Sequence, residues 1–278
     1  MPGHATAANR AYPEFSGGGT GKYANFTFNP GNNKTYAYLA NILRETEKLF
    51  PSKMIHLGGD EVSFGIESWK NDPGVQELMK KQHLSNVKDV ELYFIQRMAD
   101  SALKMYNKVL LWDEAADASL PVDSTIICWW RHDKPEQLHE AIEKGYHVIL
   151  CPRIPFYFDF VQDSSHQQGR KWQGNFSSLD KVYNFPHDEP YTVDITNKLI
   201  LGIQADLWTE TVRTEKRLEY LVFPRITALS EAAWTNANNK NYEHFLIRLK
   251  KHLLWYQTSG IYYYNPFYLE KTPEVIDK

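Results

Sequence analysis

At 278 residues with 42% apolar content, the chain is long enough to bury a sizeable core as one large domain or two small ones. A formal net charge of −3 leaves no basic excess to neutralise phosphates, so no nucleic-acid partner is predicted. No apolar run approaches the ~20 residues that a membrane-spanning helix needs.

Residues 1–33 are rich in Gly, Asn and Pro, and the run Ser16-Gly17-Gly18-Gly19-Thr20-Gly21 cannot hold regular structure, so this stretch reads as a long loop. Leu39, Ile42, Leu43, Thr46, Leu49 and Phe50 recur at helical spacing and predict a helix over about 34–50, stopped by Pro51. A strand over 53–58 follows, then a loop through Trp69. Val90, Phe94, Met98, Ala102 and Met105 mark one face of a helix over about 87–106. Short strands are predicted at 108–112 and 125–130, a helix at 135–144 closed by Gly145, and a strand at 147–151. A long irregular region, about 152–197, precedes a strand at 199–205. Helices over about 215–233 and 241–256 close the chain. Cys128 and Cys151 lie in apolar runs and are expected as buried thiols, with no disulfide framework.

Strands alternating with helical or looped returns imply a parallel sheet. Continuous apolar strands imply that both its faces are covered. The fold class is therefore α/β. The run Met54-Ile55-His56-Leu57-Gly58-Gly59-Asp60-Glu61-Val62 ends a strand in two glycines and two adjacent carboxylates. Neighbouring strand residues point to opposite faces, so Asp60 and Glu61 can serve one substrate only where the strand ends or twists, which the glycines permit. One reading is an acid–base pair at the mouth of a buried strand; the other is a Gly-Gly turn carrying solvated acids. Other strand ends carry Trp112, Trp130, Trp208 and Glu210. In a β/α barrel such ends surround the active site. Aromatic content is 14%, with eight Trp and seventeen Tyr, and aromatic faces suit the apolar C–H faces of sugars as well as they suit a core. The spacing of His and Cys suggests no metal site, and no cofactor motif is present. His83, His132 and His166 are expected at the surface, Trp129 in the core, and Asp113 and Glu114 as structural or rim residues. His56 is open between a satisfied strand histidine and a direct role.

His56-Leu57-Gly58-Gly59-Asp60-Glu61-Val62 resembles the signature of family 20 glycoside hydrolases, the β-N-acetylhexosaminidases. Pro2-Gly3-His4, Leu111-Trp112, Trp129-Trp130, Tyr157-Phe158-Asp159, Trp172-Gln173-Gly174, Leu207-Trp208-Thr209-Glu210, Phe223-Pro224-Arg225 and Glu231-Ala232-Ala233-Trp234 resemble further landmarks of that family, in order. The resemblance implies a (β/α)8 TIM-barrel type of catalytic domain over 1–278. It implies a truncated one, holding about strands 3/4 to 8 and lacking an arginine that grips sugar hydroxyls and an aspartate that pairs with the motif histidine. Met1-Pro2-Gly3-His4 carries no leader signal; full-length relatives are expected to be exported (periplasmic, secreted or lysosomal).

The mechanism implied is substrate-assisted and retaining, an exception to the usual two-carboxylate scheme. The substrate's 2-acetamido oxygen attacks the anomeric carbon to give an oxazolinium. Glu61 protonates the leaving oxygen and then deprotonates water, a dual duty that burial and a neighbouring negative charge would support. Asp60 holds the acetamido N–H, Tyr157 its oxygen, and His4 sits behind Glu61 as a relay. Trp112, Trp130 and Trp208 line the pocket, Trp172 contributes near the aglycone, and Asp159 and Glu210 bind ring hydroxyls toward O4 and O6. The partner implied is a glycan or glycoconjugate with terminal β-linked GlcNAc or GalNAc. The alternatives are a catalytically inactive remnant or sugar-binding fragment of such an enzyme and, last, a metal-dependent hydrolase built on the histidine and carboxylates.

Overall fold

A computed structural model describes residues 1–187 and 193–276, and they fall into two units. The first comprises Met1–Trp129 with Lys134–Ile149; the second comprises Trp130–Asp133 with the chain from Leu150 onward.

In the first unit, the stretch predicted as a loop holds a short helix, α1 (Thr6–Ala11), and two 3-10 turns. Its backbone is pinned by three bonds: Ala5 N–H to Phe26 O (2.8 Å), Gly17 N–H to Thr27 O (2.7 Å) and Phe28 N–H to Pro2 O (3.0 Å). These bonds give the Gly-rich segment partners for groups that burial would otherwise leave unsatisfied. Helix α2 (Asn33–Leu49) starts where the Asn32 side chain accepts the Lys34 N–H, an N-cap that satisfies one orphan donor. Strand β1 (Met54–His56) follows. Between Trp69 and the next helix, where the sequence predicts no element, α3 (Pro73–Gln82) forms. Its start is an Asp72 cap, accepting the Val75 N–H at 2.9 Å, with Pro73 in the first turn, where a missing N–H costs nothing. Helix α4 (Val87–Ala102) ends about a turn earlier than its periodicity predicts.

Strands β2 (Lys108–Trp112), β3 (Thr125–Trp129) and β4 (His147–Leu150) complete this half of the fold, with α5 (Pro135–Glu143) between the last two. The order β1-β2-β3-β4 follows the chain. The first pairings are parallel, with Ile55 opposite Val109 and Leu110 opposite Ile126. Strand β3 is buried at every position, as a doubly covered strand should be. Strand β1 exposes Met54 and His56, so the expectation of cover on both faces fails there. The core beneath the carboxylates gathers Val62, Ile66, Trp69, Val75 and Val90. Trp69 is fully buried and donates from Nε1 to Thr27 Oγ1 at 3.1 Å, so its one polar atom is satisfied while its ring contributes its full apolar area.

The second unit holds a single turn α6 (Arg153–Phe156), α7 (Leu179–Asn184), β5 (Ile200–Ile203), α8 (Glu215–Val222), α9 (Arg225–Trp234) and α10 (Tyr242–Thr258). Past β5, Gln204 donates its N–H to Leu150 O at 2.9 Å. Strand β5 exposes Leu201, a second failure of the covered-strand expectation. The helix predicted over 215–233 is two helices, because Pro224 has neither the N–H nor the ring clearance to continue α8. The irregular region survives burial because an arginine replaces a ladder. Arg225 is fully buried and donates to the carbonyls of Phe158 (2.6 Å), Phe160 (2.8 Å) and Ser177 (2.9 Å). Residues 188–192 of that region lie outside the described ones. His166, expected at the surface, is buried with its Nε2 3.0 Å from the Tyr220 hydroxyl. Cys128 and Cys151 are buried and not joined by a disulfide.

Candidate active site

The first unit builds its cluster on the end of β1. Leu57 N–H still bonds Leu110 O (2.8 Å), and Trp112 N–H bonds Gly58 O (3.0 Å), so the ladder with β2 runs one step past the strand. It stops at Gly58 and Gly59, whose φ values of +73° and +102° an L side chain rarely adopts. Glu61 then sits in the left-handed region at φ +54°, an uncommon place for a residue with a Cβ. The break lets two consecutive carboxylates reach one neighbour. That neighbour is His4, whose Nε2 lies 3.0 Å from Asp60 Oδ2 and 3.4 Å from Glu61 Oε2. His4 is held by the flanking bonds of Pro2 and Ala5 to the Phe26–Phe28 segment and by edge-on contact with the Phe26 ring at 4.9 Å.

Hydrogen bonds to Asp60 and Glu61 push His4 up to about 10, so the ring is an imidazolium at neutral pH. Burial alone would push Asp60 up; its hydrogen bond to His4 and the charge of that ring outweigh burial and hold the carboxyl below its usual range. His4 thus stands beside Glu61 and also bridges to Asp60, to which it lies nearer. Glu61 is 37% exposed and 3.4 Å from the His4 ring, with the Asp60 carboxylate within 4.8 Å, so the negative neighbour that the sequence reading expects is accompanied by a cation and by less burial. The Glu61 N–H also donates to Glu114 Oε1 at 3.4 Å, which gives Glu114 a specific contact with the acid–base segment. His56 accepts the Gly58 N–H at Nδ1 (3.0 Å) and leans on Trp112 with ring centroids 4.7 Å apart, the behaviour of a satisfied strand histidine. His4, Asp60 and Glu61 also bring donor atoms within 4.8 Å of one another, a trio that spacing along the sequence hid. Metal ligation needs a neutral imidazole, and these contacts favour the protonated ring.

The second unit builds its cluster around Tyr157, on the stretch that leaves α6. Tyr157 packs with Ile154 and Phe160 against Trp130 and Trp172. Its ring is stacked 6.2 Å from Trp130 and meets Trp208 edge-on at 5.9 Å. Burial, with Cys151 and Asp206 adding to it, drives the phenol well above its ordinary range, so Tyr157 is a neutral donor at any working pH. Phe158 N–H bonds Asp206 O (2.7 Å) and Asp206 N–H bonds Phe156 O (3.0 Å), which ties the Tyr157 segment to the one leading to Trp208. Trp172 opens a tight turn over Gln173 and Gly174, both at positive φ, closed by paired bonds with Asn175 at 2.8 and 2.7 Å; this is the backbone a two-residue hairpin demands. The Arg153 guanidinium lies 3.6 Å from the Trp172 ring centroid and pairs with Asp133 at 2.7 Å. His132 stands edge-on to Trp172 rather than free at the surface, and burial together with Arg153 pushes it down to about 4.

Asp159 is fully buried, and burial pushes its carboxyl up to about 6 against the opposing pull of Arg170. Arg170 Nε lies 3.3 Å from Asp159, and its Nη2 lies 2.9 Å from Glu210. The two carboxylates predicted to bind hydroxyls therefore share one guanidinium that sequence reasoning missed. Nothing marks Arg170 in a polar loop where neighbours offer no periodicity. A groove of about 400 Å³ elsewhere in this unit, between α9 and α10, is lined by Phe223, Ile226, His252 and Trp255 among others and holds no carboxylate, so acid–base chemistry points to the clusters above. In short, His4, Asp60 and Glu61 meet in the first unit, beside which Trp112 packs on His56. Trp130, Tyr157, Trp172 and Trp208 meet in the second, as do Asp159 and Glu210 through Arg170.

Residues 1–237 match the family model described as the catalytic domain of glycosyl hydrolase family 20. The chain is 33% identical over 241 residues to a beta-hexosaminidase of Vibrio furnissii, covering 83% of this chain and 38% of that protein. It is 28% identical to a beta-hexosaminidase of Porphyromonas gingivalis, covering 96% of this chain and 34% of that one. The chain thus spans less than two-fifths of these relatives' length. Among solved structures, an exo beta-N-acetylglucosaminidase of Vibrio harveyi in complex with N-acetylglucosamine superposes with a TM-score of 0.84 at 30% identity, over 96% of this chain and 42% of that one. A beta-N-acetylhexosaminidase of Bacteroides fragilis gives 0.80 at 31%, over 95% and 53%. The fold class is accordingly the β/α-barrel type, with five strands among the described residues of this chain.

Proposed function

The chain belongs to glycosyl hydrolase family 20, and on that footing we propose that it acts as a retaining exo-β-N-acetylhexosaminidase, removing terminal N-acetylhexosamine from glycans by substrate assistance. Residues 1–278 form, on this proposal, a partial catalytic barrel as a single domain. The observation that carries the reading is the pair of carboxylates released from β1 by Gly58-Gly59 and bridged by His4. Asp60, held ionised, is suited to accept the acetamido N–H and to balance the positive charge of an oxazolinium. Glu61, the more exposed of the two, handles the proton: it gives one to the departing glycosidic oxygen and later takes one from water. Because the acetamido oxygen is the nucleophile, no ester to the enzyme forms, and two inversions at the anomeric carbon retain configuration.

The second unit supplies the groups a sugar needs. Tyr157 keeps its proton and can donate to the acetamido oxygen. Trp130, Trp172 and Trp208 offer apolar faces to ring C–H groups, and Asp159 and Glu210 accept from hydroxyls; Trp112, packed on His56, is a further pocket candidate. The test is nitrophenol release by the 278-residue chain from the β-N-acetylglucosaminide and, in parallel, from the plain β-glucoside. Turnover of the first alone, lost on Glu61→Gln by a factor of about 10²–10⁴, is the expected result. Equal turnover of both would overturn substrate assistance. Binding of N-acetylglucosamine without turnover would leave a sugar-binding module instead.

A further inference from the structure

Asp159 and Glu210 alone cannot complete a hydroxyl-binding edge. An ionised carboxylate only accepts hydrogen bonds, whereas a sugar hydroxyl both donates and accepts. Two acids side by side leave the hydroxyl oxygens without donors. Arg170 stands between them, at 3.3 Å from Asp159 and 2.9 Å from Glu210, with its side chain 44% exposed. These ion pairs engage Nε and Nη2 of a guanidinium that carries five N–H donors in a fixed plane.

The position of Arg170 is built, not incidental. Its N–H donates to Asp159 O and its carbonyl accepts the Val161 N–H, both at 3.2 Å, which fixes its backbone to the segment that carries Asp159. The preceding Gly169 lies at φ +132°, and a Cβ there would stand 2.6 Å from a Val161 methyl, so only glycine permits this approach. Upstream, the Glu274 carboxylate accepts the N–H groups of Gln167 (2.7 Å) and Gln168 (3.0 Å). The fully buried Arg217 donates to the Gln168 carbonyl and to Glu274.

We propose that Arg170 is a specificity-determining residue, the donor of an Asp159–Arg170–Glu210 row that reads hydroxyls on one edge of the bound N-acetyl sugar. This rests on the second unit being a sugar-binding surface. The row would discriminate the presence and orientation of a hydroxyl, since a group built to hydrogen-bond an OH rejects analogues that lack it.

The experiment compares the 278-residue chain with Arg170→Met and Arg170→Lys, titrating N-acetylglucosamine and its 4-deoxy and 6-deoxy analogues by intrinsic tryptophan fluorescence. In the unsubstituted chain, deleting one of the two hydroxyls weakens binding by about tenfold or more. Arg170→Met loses a similar factor on N-acetylglucosamine and becomes indifferent to that deletion, while Arg170→Lys lies between. Arg170→Met weakening all three sugars by one common factor, or none of them, would overturn the proposal. If the unsubstituted chain bound the deoxy analogues weakly and Arg170→Met kept that discrimination, the proposal would fail while the sugar-binding reading stood. If the unsubstituted chain bound none of the sugars, the sugar-binding reading itself would fall, and the proposal with it.

Discussion

His4→Ala removes one ring from between two carboxylates, and its effect should depend on pH in a defined way. Unit charges about 4 Å apart attract by about 1 kcal/mol in bulk water and about 4 kcal/mol at an effective dielectric of 20. His4 lies 3.0 and 3.4 Å from its partners but is half exposed, and screening brings such a contact down to about 1 kcal/mol. For a chain of this size that is a loss of roughly 2–4 °C in Tm. Because His4 is raised from 6.5 to about 10 on folding, its contribution is complete below pH 6.5, shrinks as pH rises, and is gone above about 10. Asp60 is held below its ordinary value, so its share is present above pH 3.8 and is lost as pH falls through its folded value. The window of greatest stabilisation therefore runs from about pH 4 to 6.5. Urea unfolding of the parent chain and His4→Ala, at about pH 5.5 and about pH 10.5, measures the difference directly. A gap at the lower pH that closes at the higher one is expected. An equal gap at both would mean that His4 acts through packing on Phe26 and not through charge.

Arg225→Met should cost far more, because it leaves the carbonyls of Phe158, Phe160 and Ser177 without their donor. At about 1–3 kcal/mol per buried unsatisfied group the loss is about 3 kcal/mol or more, a fall of roughly 6–12 °C in Tm; a scanning-calorimetry shift of a degree or less would be inconsistent with it. Asp159→Asn should raise stability above about pH 6 and leave it unchanged below about pH 3, under the unfolded value of 3.8. The folded carboxyl is raised to about 6, so ionising it works against folding as pH climbs. Melting curves at the two pH values check this, and a stability loss at the higher pH would refute it. Tyr157→Phe should lower kcat by about 10²-fold with a smaller change in KM, and by the same factor from acid to mildly alkaline pH because the phenol never ionises there. A pH-dependent loss would show that the hydroxyl titrates.

Much of the fold and part of the candidate site were legible in the sequence, and the division has a physical basis. The strands 108–112, 125–129 and 147–150 and the helices flanking them announce themselves because a buried element leaves an unbroken apolar run or a 3.6-residue period. The Gly-Gly-Asp-Glu mouth was legible because only a backbone break lets adjacent carboxylates act together. Helix α3 was not, although Asp72-Pro73 is a start signal, since its one buried residue, Val75, leaves little periodicity to read. In the long irregular region Tyr157, Asp159 and Trp172 were reached only through the family resemblance, and the contacts that order the segment were not legible. Its order comes from single side chains bonded to backbone far away in sequence: Arg225 to Phe158, Arg217 to Gln168, Glu274 to Gln167. Such contacts have no period, so Arg170 and the buried His166 could not be placed before the structure was known.

The cations near the candidate carboxylates differ in kind, and the difference separates two tasks. Arg217 and Arg225 are fully buried and engage carbonyls of the irregular region, so they are permanent fixtures of the scaffold; even Arg225, which burial pulls down to about 9, stays charged at neutral pH. Arg170 is half exposed and holds two carboxylates through a guanidinium, the permanently charged basic group of proteins. His4 is also half exposed and holds two carboxylates, but its charge can be titrated. A permanent cation suits a surface that must present the same donors and acceptors to every incoming sugar. A titratable one suits a place where a proton is to move, since imidazole can follow the charge on Asp60 and Glu61 as it changes. On the proposed function, the chemistry would belong to the end of β1, and recognition to the loops that Arg217 and Arg225 hold in place.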